Sequence, residues 1–341
     1  MYPMKSIRGV QLKKRSFMYS STILVAGMAV VSLGLPTATA NAGASSKSHK
    51  VLGIVALLAN DALNIQTVAG ATAVAHKAGW TVKEIDTEGS AQSANAAMQT
   101  FVSDHVTAMY VLAYAPSSIG AGLAAARAAH IPVAEWGSAP TTKDIVSTVN
   151  YQHVAKAEVA ALEAAVKGPA SVLELNFSGG ALCVTDGQVY AASINKTKGY
   201  TITSVQIAGA TAVQSGQNYT QSWLTTHPAG KGKYAILSSW DVPTTGAIAA
   251  LTLAGRKDVK VYSINGEAQT LKLVQQGKET ETTRPDATKE GSDSMKNILA
   301  YLAAPKAQQA AWKASAISDQ VTVITSANIN AFLKANPGAL K

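Results

Sequence analysis

The sequence predicts an α/β protein of two similar lobes, each a parallel sheet covered by helices on both faces. Three observations predict it. Apolar runs of strand length alternate with helical periods from Val51 onward, and this alternation restarts after Asn150. Beyond a basic and apolar leader, residues 43–341 are too long for one compact core and long enough for two. Strands that are apolar throughout, separated by amphipathic helices, belong to parallel sheets buried on both sides.

In the first half, Val51 to Leu58 reads as a strand. A helix follows with Ile65, Val68, Ala69, Thr72 and Ala75 on one face, stopping at Gly79. After a short strand, Thr81 to Ile85, Ser90 caps a helix whose Ala94, Ala97, Met98 and Phe101 recur at helical spacing. Strand Ala108 to Tyr114, a helix with Ile119, Gly122, Leu123 and Ala126 inward, and strand Ile131 to Trp136 complete this half. The second half opens with a helix aligning Ala155, Val159, Leu162 and Val166, which ends at Gly168-Pro169. Then come strand Ser171 to Leu175, a helix from about Thr185 to Asn195, strand Tyr200 to Ile207 and a helix around Asn218 to Thr226. Strand Tyr234 to Ser238, a helix from Pro243 to Leu253 and strand Val259 to Ile264 follow. A late helix with Met295, Ile298, Leu299 and Leu302 on one face, and a strand from Gln320 to Thr325, find no obvious place in the second lobe.

The leader, residues 1–42, carries Lys5, Arg8, Lys13, Lys14 and Arg15 and no acid, then an apolar stretch from Thr22 to Leu35, Pro36 and small residues. That order is expected of a secretory signal peptide, with cleavage frames at Ala38-Thr39-Ala40 or Ala40-Asn41-Ala42. Phe17 to Leu35 is also nearly long enough to anchor in a bilayer of about 30 Å. Lys14-Arg15-Ser16-Phe17-Met18 loosely matches a twin-arginine signal, so the export route stays open. The expected location is periplasmic or secreted. Losing the leader lowers the net charge from +9 to +4. The remaining lysines are scattered, which argues against nucleic acid as a partner.

Chemistry-bearing motifs are sparse. Cys183, the single cysteine, excludes an internal disulfide and fits a buried side chain better than a nucleophile. The six histidines lack zinc-site spacing, so neither a metal nor a cofactor is expected. Gly120-Ala121-Gly122 opens a helix after a strand, but it lacks the third glycine of a dinucleotide site and reads as helix packing. Ser178-Gly179-Gly180 is a turn rather than a nucleophile elbow. An enzyme is not expected.

Several short segments, in order and at suitable spacing from Lys50 to about Leu333, resemble one family. They are Val51 to Val55 followed by Asn60-Asp61, Gly70, Ile131-Pro132-Val133, Asp241 with Gly246, Lys257 to Val261 leading to Asn265-Gly266, and Val323 to Asn328. The chain resembles the exported type I periplasmic substrate-binding proteins, particularly the ribose/galactose branch serving ABC importers. The resemblance implies two doubly wound lobes joined by a three-strand hinge. Residues 48–149 with 285–315 would form the N-terminal lobe, and 150–284 with 318–335 the C-terminal lobe. It implies a monomer that closes on a small molecule in the interlobe cleft and delivers it to the permease subunits of an ABC transporter. A ligand-sensing subunit for a chemoreceptor or histidine-kinase ectodomain would share fold and cleft.

Carried over residue by residue, the resemblance implies an unusual cleft. Where sugar-binding members often hold Asp-Arg after the Ile-Pro-Val strand, this chain has Gly137-Ser138, preceded by Glu135 and Trp136. The family's Arg before the second-lobe helix glycine falls at Val184, beside Cys183 and Thr185. The Asn preceding Asp241 becomes Trp240, the next Asp becomes Asn265, and the aromatic pair of the first loop becomes Leu63 and Asn64. Asn60, Asp61, Tyr114, Glu135, Asn265, Glu267 and Arg284 are the polar candidates, with Asn60 or Asp61 competing for a helix N-cap role. Two tryptophans at strand ends suit stacking on a ring, so the expected ligand is sugar-like or ring-containing.

Overall fold

The structure is a computed structural model describing residues 49–137, 145–194, 199–318 and 321–340; the expected signal peptide and its cleavage frames lie outside the described residues. The chain runs β1 (Val51–Ala56), α1 (Ala62–Lys77), β2 (Thr81–Asp86), α2 (Ala91–Ser103), β3 (Ala108–Leu112), α3 (Gly120–Ala128), β4 (Val133–Trp136) and β5 (Ile145–Val149). It continues through α4 (Gln152–Ala165), β6 (Ala170–Asn176), α5 (Ala181–Ile194), β7 (Tyr200–Gln206), α6 (Ala212–Thr226), β8 (Tyr234–Ser238), α7 (Val242–Leu253), β9 (Val259–Ile264), α8 (Ala268–Gln275) and β10 (Glu281–Arg284). Last come α9 (Ala287–Ala303), α10 (Lys306–Ala310), β11 (Ser315–Ile317), β12 (Thr322–Thr325) and α11 (Ile329–Ala335). Among the described residues no helix is long and apolar enough to cross a membrane.

Two six-stranded sheets result, ordered β11-β5-β4-β3-β1-β2 and β12-β10-β9-β8-β6-β7. All neighbours are parallel except β12, which runs antiparallel to β10. The central strands β3 and β8 are buried along their whole length, as apolar runs in doubly covered sheets must be. The chain passes between the sheets after β5, after β10 and after β11. The late helix and tail strand thus find their partners: α9 packs in the first lobe, with Met295 and Ile298 fully buried, and β12 edges the second sheet. β5, α8, β10 and β11 were not anticipated from the pattern. Two of these strands, β10 and β11, are only four and three residues long and pair across sequence distances that local periodicity does not register.

Helix α1 is turned relative to its expected face. Its inner stripe is Leu63, Asn64, Thr67, Gly70, Ala71 and Ala75, whereas Ile65 is 53 % exposed. Close packing against α9 decides this. A Cβ on Gly70 would lie 1.9 Å from the Thr288 carbonyl oxygen, and one on Gly291 would lie 2.0 Å from that of Thr67. Backbone-to-backbone approach needs small residues, and the helix turns Gly70 and Ala71 inward and leaves Ile65 outside. The pair α6 and α7 uses the same device through Gly216 and Gly246. Gly122, weighed above as a dinucleotide glycine, abuts Met98 of α2 and is a packing residue. The predicted Ser90 cap is present, its Oγ accepting the Ser93 N–H at 3.2 Å.

Candidate functional site

Each sheet has a topological switch point, where the connections from the first strand turn to opposite sides: between β1 and β3 in one lobe, and between β6 and β8 in the other. The carboxyl ends of these four strands face one another. Leu57 and Leu58 follow β1, Ala113 follows β3, Phe177 follows β6, and Trp240 lies two residues beyond β8. All five line one pocket between the lobes. Asp61, Leu63, Asn64, Trp136, Cys183 and Asn265, all predicted, line it too. A wider groove continues past Asn60, Asp61, Trp240 and Glu267.

The lobes touch around this pocket. The Ala181 N–H at the start of α5 donates to the Ala113 carbonyl of the opposite lobe at 2.7 Å. Ala113 adopts φ 62°, a left-handed conformation that costs a non-glycine residue about 1–2 kcal/mol. Asn265, at φ 109°, is the second such residue on the pocket wall. Leu182 packs against Gly137, and Arg284 Nη2 donates to Gln66 Oε1 of the first lobe at 3.3 Å.

The predicted residues divide into three groups. Asp61 takes the N-cap role, its Oδ1 accepting the Leu63 and Asn64 N–H groups at 3.0 Å, and it also lines the pocket. Trp240 is partly buried and forms a tilted pair with Phe177, ring centres 5.8 Å apart. Trp136 contributes to the pocket wall but is also a core residue, 1 % exposed, donating from Nε1 to Glu290 Oε2 at 2.7 Å and meeting Tyr151 edge-on. The expectation that the two tryptophans act alike therefore needs correcting, because one ring is held by the first lobe's interior.

Tyr114, Glu135, Thr185, Asp241 and Arg284 do not line the pocket or the groove. Tyr114 OH is hydrogen-bonded to Thr87 Oγ1 at 2.6 Å, Glu135 Oε2 accepts from Thr148 at 3.1 Å, and Thr185 Oγ1 turns back to the Ala181 carbonyl at 2.9 Å. Asp241 stands behind the wall: it is fully buried, and its Oδ2 accepts the Glu267 N–H at 2.7 Å, tying the end of β8 to the loop after β9. Arg284 holds the Gly266 carbonyl. Ser138 lies outside the described residues.

Electrostatically the site is acidic, lined by Asp61, Glu88 and Glu267. Burial, reinforced by Glu279 and Asp61, pushes the Asp241 carboxyl up to about 8. Burial together with Asp241 and Asp61 pushes Glu267 up to about 9. Cys183, buried and donating to the Ser239 carbonyl, is pushed up to about 12, so it lines the pocket as a neutral thiol and not as a nucleophile. Sequence reasoning missed Leu57, Leu58, Ala113, Phe177 and Leu182 as wall residues. For Phe177 a signal existed: it lies two residues beyond a predicted strand, where open sheets place their ligands.

Two lobes with a cleft at paired switch points define the class, a hinged type I binding fold. The chain belongs to the periplasmic binding protein domain family, which it matches over residues 53–308. That is a family of solute-binding proteins, not enzymes. The chain is similar to the ribose import binding protein RbsB of Escherichia coli, 24% identical over 71% of this chain and 80% of the relative, and to that of Salmonella typhimurium, 26% identical over the same shares. In structure it resembles an ABC transporter solute binding protein from Agrobacterium vitis with bound allitol (TM-score 0.74, 20% identity, 84% of this chain and 99% of that one). It also resembles the 5-methylthioribose transporter solute binding protein from Thermotoga lettingae (TM-score 0.71, 18% identity, 85% and 92%).

Proposed function

We propose that this protein is an exported solute-binding protein that captures a small sugar-like or ring-containing molecule between its lobes by hinge closure and delivers it to an ABC permease. The observation that carries this reading is the pocket itself, walled by strand ends from both sheets and bridged by the Ala181 to Ala113 hydrogen bond. A ligand that touches both lobes only when they meet shifts the population toward the closed form. The names of the relatives, a ribose importer component and proteins for allitol and 5-methylthioribose, favour a polyol or furanose-sized solute. Thermal unfolding of the purified protein against a panel of sugars, polyols and aromatic metabolites tests it. The right solute at a hundredfold excess over its dissociation constant adds about 2.7 kcal/mol of stability. A panel without any shift overturns the reading.

The closure step has its own test. Proline is tolerated at the first position of a helix but has no N–H, so Ala181→Pro removes the bridge to Ala113 while sparing α5. Loss of one such hydrogen bond, worth about 1 kcal/mol, weakens binding of the identified solute about fivefold with little change in the unliganded melting temperature. Unchanged affinity would mean that the bridge contributes nothing to closure.

A further inference from the structure

The pocket's charge and hydrogen-bond inventory narrows the ligand beyond the solute-binding reading, on which this inference rests. The charged residues lining pocket and groove, Asp61, Glu88 and Glu267, are all acids, and among the described residues no Lys or Arg lines either. Arg284 acts electrostatically on Asp241 and Glu267 from behind the wall, but its guanidinium is already held by the Gly266 carbonyl and Gln66 Oε1.

One hydrogen-bond acceptor of the wall is also buried without a partner. Asn64 is 4 % exposed, and its amide orientation is set by Nδ2 donating to Asp61 Oδ1 at 2.9 Å. That leaves Asn64 Oδ1 buried at the pocket wall with nothing donating to it. Beside it the Glu267 carboxyl is hydrogen-bonded to the Trp240 indole and to Asp61, and behind it Asp241 is hydrogen-bonded to Thr270. A buried acceptor without a donor destabilises the empty site until a donor arrives. The facing wall is the tilted Phe177–Trp240 pair, and aromatic faces attract cations.

We propose that the ligand of this cleft carries a protonated nitrogen on a ring or apolar body, its ammonium received by Asp61, Asn64 and Glu267 and its body set against Trp240 and Phe177. An ammonium supplies a donor for Asn64 Oδ1 and the positive charge that no residue lining this wall provides, and charge-assisted bonds to carboxylates are about twice as strong as neutral ones. Glu267, held protonated by burial and by Asp241 and Asp61, gives its proton to solvent as the cation arrives, with Glu88 adding to the acidic field and Arg284 opposing it. The ammonium–carboxylate pair replaces the neutral acid, so binding releases a proton.

Titration calorimetry at pH 6.5 on matched pairs, tyramine against tyrosol and glucosamine against glucose, in buffers of different ionisation enthalpy, tests this. The expected result is an ammonium member binding about tenfold or more tightly than its hydroxyl partner, with proton release, and a preference that falls to about unity in Glu267→Gln. Equal or reversed preference overturns the inference, and so does failure of both ammonium compounds to bind. A neutral sugar or polyol binding as well as its amine leaves the solute-binding reading standing and removes only the cation. That reading is judged separately, on the sugar and polyol panel.

Discussion

Replacing Gly291 by Val is expected to abolish stable folding, lowering stability by more than about 4 kcal/mol in urea denaturation followed by circular dichroism. The added Cβ would sit 2.0 Å from the Thr67 carbonyl oxygen and 2.8 Å from its carbonyl carbon. Both are backbone atoms of a regular helix and cannot yield as a side chain does. Relief requires α9 to move away from α1, which uncovers Met295 and Ile298 and opens the first lobe. Gly70→Val meets the reciprocal obstacle at Thr288 and should fail in the same way. Gly79 provides the contrast: a Cβ there meets nothing within 4 Å, so Gly79→Ala carries only the cost of φ 78°, about 1–2 kcal/mol. If Gly291→Val cost no more than Gly79→Ala, the crossing of α1 and α9 would have room for a side chain between their backbones.

Stability is expected to fall as pH rises from 5 to 9. Burial pushes Glu281 up to about 7, Glu279 up to about 8, Asp241 up to about 8 and Glu267 up to about 9. Glu158 and Asp186, both fully buried, are raised in the same direction, burial being the main cause. Between the ordinary carboxyl pKa near about 4 and these raised values, the folded chain holds more protons than the unfolded one. The slope of unfolding free energy against pH is then negative. The contribution is complete below about pH 4 and is lost progressively as pH climbs through the raised values. Asp258, held low mainly by its hydrogen bond from Arg256, and Asp293, held low by Lys289 and Lys296 against partial burial, act oppositely, and their stabilisation disappears only in acid. Scanning calorimetry without ligand should show the highest melting temperature near pH 5 and a steady decline toward pH 9. A flat or rising profile would show that these carboxyls find cationic or donor partners in solution.

The site was legible in the sequence where it lies at strand ends and obscure where it depends on which way a side chain turns. Asp61, Trp240 and Asn265 occupy loops that directly follow predicted strands, so position alone marked them. Glu135 and Trp136 belong to the same short strand, yet Glu135 turns to Thr148 inside the first lobe while Trp136 reaches the wall. Alternation along a strand separates the two faces but does not say which one meets the cleft. Phe177 was passed over because its neighbours, Ser178 to Gly180, read as a plain turn.

By itself the sequence determined the alternation of strands and helices, the two lobes and the apolar strands that build their sheets, because these follow from local periodicity and from the burial each segment demands. Tertiary structure alone decided the inward face of α1, the pairings of β5, β10 and β11, and the meeting of Ala113 with Ala181. Each of these depends on approach between backbones far apart in the chain. There the steric allowance of a glycine, or the reach of one carbonyl, outweighs the hydrophobic pattern.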